Sequence, residues 1–364
     1  MPAMPNRRPR KLSPRLWLPF LLASVGTTFA QQPDSWGTFW LEKSNDEDYW
    51  PKHFRVGVMA GLNIKADFKM NGTFAVSGHN PGAIANGTDH FYDDGYVRVD
   101  ELNDTVNYWT TFWGYNNQAA QLSGTTLSYH SARTFTANGS TSETGDIQPG
   151  IDVAYGGHLG RWGDALVGWE LGFGWLSMEI EDNNPVRISA TRTTHTYDTG
   201  GILMPDAPYN GGSSGIGPNI KNIPTAGFDQ LNAGGYVSGH TLDVSLYTLR
   251  LGPTLHWELP YDFATQISAG AAVGFISGDL RYNETLLFDD GSRASNQGST
   301  SDDQFVYGGY LAATLMYHVE EHGDLYLGIQ YMPLSDATFS GGGREATLNM
   351  MGGLYVSFGI NWPF

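Results

Sequence analysis

Some residues of this sequence are of the types that hydrolytic enzymes use. Ser131 directly follows His130, and His90, His195 and His240 lie in stretches rich in Ser and Asp. A serine nucleophile needs an imidazole base within hydrogen-bond reach and an acidic residue that orients the base. With 10 histidines in the chain such neighbours arise by chance, and H-E-x-x-H, P-loop and dinucleotide-binding patterns are absent. We expect no catalytic residues, no cofactor and no enzyme; the enzymatic alternative is a hydrolase acting on lipid.

The stretch "HFYDDGYVRVDELND" is a candidate for cation binding. Asp93, Asp94, Asp100 and Glu101 supply the hard oxygen ligands that Ca²⁺ prefers. Their spacing does not match an EF-hand loop, and a solvated acidic loop is the alternative. We therefore predict no dedicated metal site, and divalent cations remain candidate partners of this loop.

A third set of charged residues falls within segments of alternating polarity. We predict that five of them point into the interior of a sheet structure and form a polar network: Arg55, Asp152, Glu170, Asp243 and Arg250. Glu170 and Arg250 lie at similar distances from neighbouring short turns, so they are predicted to pair, assisted by Arg55 and Asp152. Buried charges require partners. A proton or ion path is the functional alternative.

The elements that carry these residues have a period of two. Eight runs alternate apolar with small or polar residues, at about 54–68, 151–159, 165–175, 240–258, 263–275, 305–319, 325–331 and 354–364. Such alternation is typical of β-strands with two different faces. In the fourth run the apolar parity changes between Leu246 and Leu249, which predicts a β-bulge.

The connections between the runs alternate in length. Short links such as "GRWGD" and "LPYD" alternate with long ones at about 69–149, 178–239, 277–304 and 333–350. This layout is typical of an antiparallel up-and-down transmembrane β-barrel with long extracellular loops. We predict an all-β barrel over 54–364 with eight strands, or ten to twelve if the strand-like stretches in the first loop also span the membrane. A secreted soluble β-sandwich is the alternative fold.

The N-terminus has the features of a secretory signal peptide. Residues 1–30 contain basic residues, a short apolar stretch and Ala30 at a small-residue cleavage position. Residues 31–53 are predicted to be a periplasmic lead-in. The apolar stretch is too short to span a bilayer as a helix.

Composition narrows the function classes. The chain carries 37 acidic and 20 basic residues, a net charge of −17, so we expect no nucleic acid partner. Cysteine is absent, which excludes disulfides and thiol chemistry. Charged residues make up only 16% while Gly reaches 47 of 364, which suits a sheet whose outer face meets lipid.

The final stretch, "MGGLYVSFGINWPF", alternates strictly and ends on an aromatic residue. Its apolar positions are Leu354, Val356, Phe358, Ile360, Trp362 and Phe364. This stretch resembles the terminal strand of the small eight-stranded outer-membrane proteins of Gram-negative bacteria. The resemblance implies that the barrel-assembly machinery reads this strand and that it pairs with the first strand. Pro363 departs from the pattern because it cannot donate to a ladder.

Aromatic residues cluster near the run ends. We predict that six of them form girdles at the headgroup level: Phe54, Phe68, Trp175, Trp257, Tyr317 and Tyr331. The expected location is the outer membrane, with its lipid and lipopolysaccharide as partners. The expected function is a structural, adhesive or small-molecule-binding barrel with a lumen plugged by side chains, and a narrow porin-like channel is the alternative.

Overall fold

A computed structural model describes residues 52–85, 87–100, 108–319 and 323–363, with the side chains of 230–233 left out. The predicted signal peptide and all but the end of the predicted lead-in lie outside these residues and stay predictions. The elements are β1 (Lys52–Leu62), β2 (Lys65–Ala75), β3 (His90–Tyr92), β4 (Gly95–Val97), β5 (Trp109–Thr110), β6 (Trp113–Tyr115), α1 (Gln118–Gln121), β7 (Leu122–Ser123), β8 (Thr126–Thr144), β9 (Gln148–Trp162), β10 (Ala165–Asp182), β11 (Val186–Asp198), β12 (Tyr209–Asn210), β13 (Ile220–Lys221), β14 (Ala226–Leu259), β15 (Phe263–Phe288), β16 (Arg293–Val319), β17 (Gly323–Tyr331), β18 (Ala337–Gly341), β19 (Arg344–Asn349) and β20 (Leu354–Pro363).

The protein is an all-β antiparallel barrel. Among the described residues, a closed ring is formed by β1, β9, β10, β14, β15, β16, β17 and β20, each hydrogen-bonded to the next. The last strand pairs with the first from His53↔Pro363 to Leu62↔Leu354. We call this ring the lower ring. Each alternating run of the sequence contributes a different strand to it, and the first run also continues beyond β1 into β2. Closure leaves no sheet edge with unpaired backbone groups.

The same strands continue past the lower ring into a second section, the upper extension. Here β2 continues β1, β8 leads into β9, β11 continues β10, β18 continues β17, and β19 leads into β20. The distal parts of β14, β15 and β16 complete it. The Gln304 side chain on β16 bonds the backbone of Thr338 on β18, and Gly308 on β16 forms a bridge with Leu334, which precedes β18. Much of the sequence predicted as long loops is therefore regular strand.

Short strands cover the far end of the upper extension. One small sheet has the order β12-β6-β4-β3, and another pairs β13 with β5. Of the two strand-like stretches in the predicted first loop, "YWTTFWGYNNQ" contains β5 and β6, and "TTLSYHSARTF" lies largely in β8. Neither stretch joins the lower ring.

The orientation of the apolar side chains inverts where the long strands pass from the lower ring into the upper extension. In β10 the outward positions change from Phe173 and Trp175 to Ser177 and Glu179, while the buried inward positions become apolar from Leu176 onward. The strand itself is continuous, and only the face that carries the apolar residues changes. Below the inversion the apolar face is outside, and above it the apolar face forms an interior core.

The parity change in β14 is this inversion. Leu242, Val244 and Leu246 are buried inside the upper extension, whereas Leu249 and Leu251 point outward from the lower ring. The register with β10 runs without a shift from Asp182↔His240 to Leu166↔His256. The predicted bulge at this point is therefore wrong, because the environment changes rather than the strand.

The inversion between β1 and β2 uses a backbone turn. Asn63 adopts a left-handed φ of 57°, after which Ile64, Ala66 and Phe68 are buried. Asn is one of the few residues that tolerate this conformation. Phe68 is only 3% exposed, so its prediction as a girdle residue is wrong: the chain has already turned its apolar side inward.

The helix content is minimal. Over the ranges that the structure covers, no helix is long and apolar enough to cross a membrane.

Candidate functional site

A belt of exposed apolar side chains surrounds the lower ring. Its outward residues include Val58 at 66% exposure, Leu251 at 56% and Ile329 at 51%. Water-soluble proteins seldom leave a continuous apolar surface of this kind uncovered. Such a surface on a closed barrel fits the hydrocarbon interior of a bilayer.

The upper border of the belt is a row of aromatic residues in register. Trp175 lies opposite Tyr247, Tyr247 opposite Phe275, and Phe275 opposite Phe305. The ring centroids of Phe275 and Phe305 are 5.3 Å apart. Tyr331 is also exposed, on β17.

A second set of aromatics lies at the opposite border. Phe54 pairs with Trp362, and the rings of Phe263 and Tyr317 are 5.1 Å apart. Trp257 lies on the outward face of β14. Along β15 the borders at Phe263 and Phe275 are twelve residues apart, which spans about 25–30 Å for a tilted strand and matches the height of a bilayer core.

The terminal strand lies in this belt. Leu354, Val356, Phe358, Ile360 and Trp362 alternate along the outward face of β20, whereas Tyr355 and Asn361 point inside. Phe364 lies outside the described residues. The role of this strand in assembly stays a prediction.

The interior of the lower ring holds two buried ion pairs. Arg55 Nη2 lies 3.0 Å from Glu170 Oε1, and Arg250 Nη2 lies 2.6 Å from Asp152 Oδ1. All four side chains are at most 4% exposed. The structure therefore brings four of the five predicted lumen residues together, but Glu170 pairs with Arg55 rather than with Arg250.

Neutral side chains complete this lumen network. Gln266 Nε2 donates to Glu170 Oε2 at 2.8 Å, and the Arg55 guanidinium lies 5.0 Å from the Tyr326 ring centre. Gly172 faces the Arg250 side chain so closely that a Cβ there would collide with it. The strands thus use small residues where the long arginines cross the interior.

Asp243 does not belong to the lumen network, which corrects its prediction. It lies on the outward face of the upper extension and forms an ion pair with Arg281. The prediction was wrong because Leu242 and Val244, which flank it, point into the core above the inversion.

The candidate hydrolytic residues form hydrogen bonds with different partners. His130 Nδ1 lies 2.6 Å from Asp94 Oδ2, whereas the Ser131 hydroxyl donates to the carbonyl of His79. His195 Nδ1 is 2.7 Å from the Tyr92 hydroxyl, and burial lowers the pKa of His195. The contacts of His130 and Ser131 therefore do not align the serine with the neighbouring imidazole.

His240 belongs to a buried cluster inside the upper extension. Its Nε2 lies 3.3 Å from Glu284 Oε1, and its Nδ1 lies 3.8 Å from Asp182 Oδ2. Arg344 donates to both oxygens of Glu284. Burial alone would lower the pKa of His240, but the two carboxylates outweigh it and raise the pKa above its usual value.

The acidic residues predicted as a cation loop are used in local hydrogen bonds. Asp93 accepts the backbone N–H of His79 and of Ala132, and Asp100 accepts the hydroxyl of Thr111. Glu101 lies outside the described residues. Within the part of the chain that the structure describes, no group of three or more acidic or histidine side chains has the geometry of a metal site.

Asp93 and Asp94 instead line a cavity of about 300 Å³ at the far end of the upper extension. Three segments form it: the turn between β3 and β4, the start of α1, and the turn between β15 and β16. The lining residues are Asp93, Asp94, Asn116, Asn117, Ala120, Gln121, Gly291, Ser292 and Arg293. The acidic stretch of the sequence points to the two aspartates, but no sequence pattern indicates that the other segments approach them.

A smaller cavity lies at the end of the lower ring that is farther from the upper extension. Its volume is about 30 Å³, the space of one water molecule. It is lined by His53, Gly157, His158, Leu166, Gly168, Thr254, His256 and Gln266.

Comparisons with known proteins yield distant structural likenesses only. No family model and no curated protein matches the chain. The outer membrane protein OprG from Pseudomonas aeruginosa is 9% identical over 87% of this chain and 98% of its own, with a TM-score of 0.29. The outer membrane protease OmpT from Escherichia coli is 9% identical over 86% of this chain and 97% of its own, with a TM-score of 0.32. At these scores neither likeness supports an inference about activity, and the barrel is assigned from its strand pairing and its apolar belt.

Proposed function

We propose that the protein is a sealed outer-membrane barrel that holds a binding cavity at the cell surface. The lower ring is the membrane-spanning part, in contact with lipid and, at its upper border, with lipopolysaccharide. The barrel-assembly machinery recognises β20. The short turns at 163–164 and 260–262 and the ring ends at Lys52 and Pro363 face the periplasm, and the upper extension projects outward.

The observation that carries this proposal is the pair of crossed ion pairs inside the lower ring. An eight-stranded barrel is just wide enough for its own side chains to fill it. Arg55–Glu170 and Arg250–Asp152 occupy that interior, and Gln266 and Tyr326 pack beside them. These buried side chains take up space that a continuous water path through this section would need, which favours a plug over the porin-like alternative.

Conductance across a planar bilayer tests the sealed lumen. The purified wild-type barrel is expected to insert without producing steady single-channel steps. A variant with Arg55, Asp152, Glu170 and Arg250 all replaced by Ala is expected to conduct, because the interior then loses its four largest charged groups.

The matched control removes an ion pair from the outer surface. Asp243→Ala with Arg281→Ala takes away one pair of opposite charges above the belt and is expected to remain silent. Steady wild-type steps that match those of the fourfold variant would refute the plug and support the channel.

A further inference from the structure

We propose that the cavity of the upper extension binds a small hydroxylated primary ammonium ion, of the amino-sugar class. This inference rests on the proposed function in one respect, namely that the upper extension faces the cell exterior. It adds the chemical class of the ligand and the residues that select it.

The size of the cavity suits one sugar ring. Its volume of about 300 Å³ equals that of roughly ten water molecules at ~30 Å³ each, and it lies at the lower end of the range of small-molecule sites. A hexosamine has twelve non-hydrogen atoms, and one such ring fits within this space.

Asp93 supplies the selectivity for a cation. Its side chain is only 9% exposed, and its oxygens accept backbone N–H groups of His79 and Ala132, at 3.0 and 2.7 Å. These donors are neutral, and the nearest imidazole nitrogen, Nδ1 of the exposed His79, is 3.9 Å away. A largely buried carboxylate gains from a cationic partner. The neighbouring Asp94 differs, because its two oxygens accept from the backbone N–H and the ring of His130.

The remaining lining suits hydroxyl groups. Asn116, Asn117, Ser292 and Arg293 present amide, hydroxyl and guanidinium groups around the cavity. The amides and the hydroxyl both donate and accept, whereas the guanidinium only donates, and a polyhydroxylated ring can use both kinds of group. Two carboxylates and one guanidinium line the cavity, so acidic groups predominate there.

A buried side chain holds the wall in place. Gln121 is 1% exposed, and its Oε1 accepts the backbone N–H groups of Asn116 and Asn117 at 3.0 and 2.9 Å. Its Nε2 donates to the carbonyls of Asp94 and Ser128 at 3.2 and 3.3 Å. One amide therefore ties the α1 segment to the turn that carries Asp93. The cavity is thus formed before any ligand arrives, which reduces the entropic cost of binding.

Calorimetric titration of the refolded full-length barrel in detergent tests this inference. The probes are D-glucosamine, its neutral analogues D-glucose and N-acetyl-D-glucosamine, and putrescine, an amine without hydroxyl groups. Saturable binding of one glucosamine is expected, with each of the other probes weaker by about tenfold or more, as one charge-assisted contact or a set of hydroxyl contacts is lost.

Two variants locate the site. Asp93→Asn removes the charge and is expected to weaken glucosamine binding by about tenfold or more. Ala120→Trp fills the cavity while leaving the Asp93 carboxylate in the chain, and it is expected to abolish binding. Glu345→Gln removes a surface carboxylate paired with Lys69 and serves as the control with unchanged affinity. Gel mobility before and after boiling verifies that each variant is folded.

Several results would overturn the proposal: absence of glucosamine binding, equal binding of glucose and glucosamine, or full binding by the folded Ala120→Trp variant. Stronger binding of putrescine would show an amine site without sugar selectivity and would also refute it. The conductance experiment tests the lower ring, and the calorimetric titration tests the cavity. Failure of the proposed plug and failure of the proposed ligand are therefore distinguishable.

Discussion

Arg55 and Glu170, on β1 and β10, meet inside the lower ring with 3.0 Å between Nη2 and Oε1. Removing one partner leaves the other charge buried and unpaired, which costs about 3–5 kcal/mol. We therefore expect Arg55→Met or Glu170→Met to destabilise the barrel strongly, and the double substitution to cost much less than the sum. Urea titrations, with the folded fraction read from gel mobility, measure the free energy of unfolding of the wild type, the two single variants and the double variant.

The control is the cycle of Glu170→Met with Arg250→Met. Because Arg250 bonds Asp152 instead, its coupling to Glu170 is expected to be the smaller of the two. A larger coupling for Glu170 with Arg250 would contradict the observed pairing.

The inversion of the apolar face predicts a sharp change in tolerance to charge along β14. Leu251 is 56% exposed on the belt, so Leu251→Arg is expected to cost about 2–4 kcal/mol, as charges do near the bilayer midplane. Ser245→Arg, on the same face just above Tyr247, is expected to cost about 0–1 kcal/mol. Urea unfolding in lipid vesicles measures the free energy of unfolding of both variants. Equal losses of stability would mean that Leu251 faces water.

The His240 cluster predicts a pH-dependent contribution to the stability of the upper extension. The pKa of His240 is raised in the folded protein, so its contribution is complete below the unfolded value of about 6.5 and is lost as pH rises through the folded-state pKa. Asp182 and Glu284 have lowered pKa values, since His240, Thr141 and Arg344 outweigh the effect of burial. They therefore stay ionised across this range.

The measurement compares wild type with His240→Gln. The substitution is expected to cost about 1.5–3 kcal/mol at pH 5.5, as for hydrogen bonds to a charged group, and progressively less at higher pH. A difference that grows between pH 5.5 and 9 would reverse the predicted sign.

Binding of an ammonium ligand should also depend on pH. Burial raises the pKa of the Asp93 carboxyl, against the backbone N–H groups that lower it. An ammonium ion prefers the ionised form, so glucosamine affinity is expected to fall as pH drops through that raised pKa. Calorimetry from pH 7 to 4 follows the loss, and unchanged affinity at pH 4 would exclude Asp93 as the cation partner.

The strands of the lower ring could be predicted from the sequence because a single physical pattern defines them. Outward residues such as Phe263 and Ile267 must be apolar in lipid, while the narrow interior takes Gly, Ser and Gln, so alternation persists over the whole span. The final strand from Leu354 to Trp362 shows this pattern most clearly.

The sequence pattern predicts loops where the upper extension has strands, because apolar residues there mark the inside and not the outside. In β10 and β14 the strand pairing passes Trp175 and Tyr247 without a shift, but the face that carries the apolar residues changes from the outside to the inside. A sequence pattern with period two indicates that a strand has two different faces, but it does not indicate which face points into the barrel. Phe68 and Asp243 were both assigned to the wrong side for this reason.

The partners of the lumen charges depend on register, which the sequence does not provide. Glu170 and Arg250 are at similar heights, but Arg250 passes over Gly172 to reach Asp152. The cavity depends on even longer-range contacts, since Asp93, Gln121 and Ser292 come from three distant segments.

The most direct test of the account is a scan of accessibility along β15. The chain has no cysteine, so single cysteines that carry a spin label can be placed at successive positions from 263 to 287 in lipid vesicles. Frequent collisions of the spin label with oxygen indicate a lipid environment, and frequent collisions with a water-soluble nickel chelate indicate water. We expect oxygen to dominate at odd positions from 265 to 273, the nickel chelate at odd positions from 277 upward, and both to be low at the even, inward positions. Strong nickel collisions at 267, 269 and 271 would place the belt in water and contradict a membrane-spanning barrel.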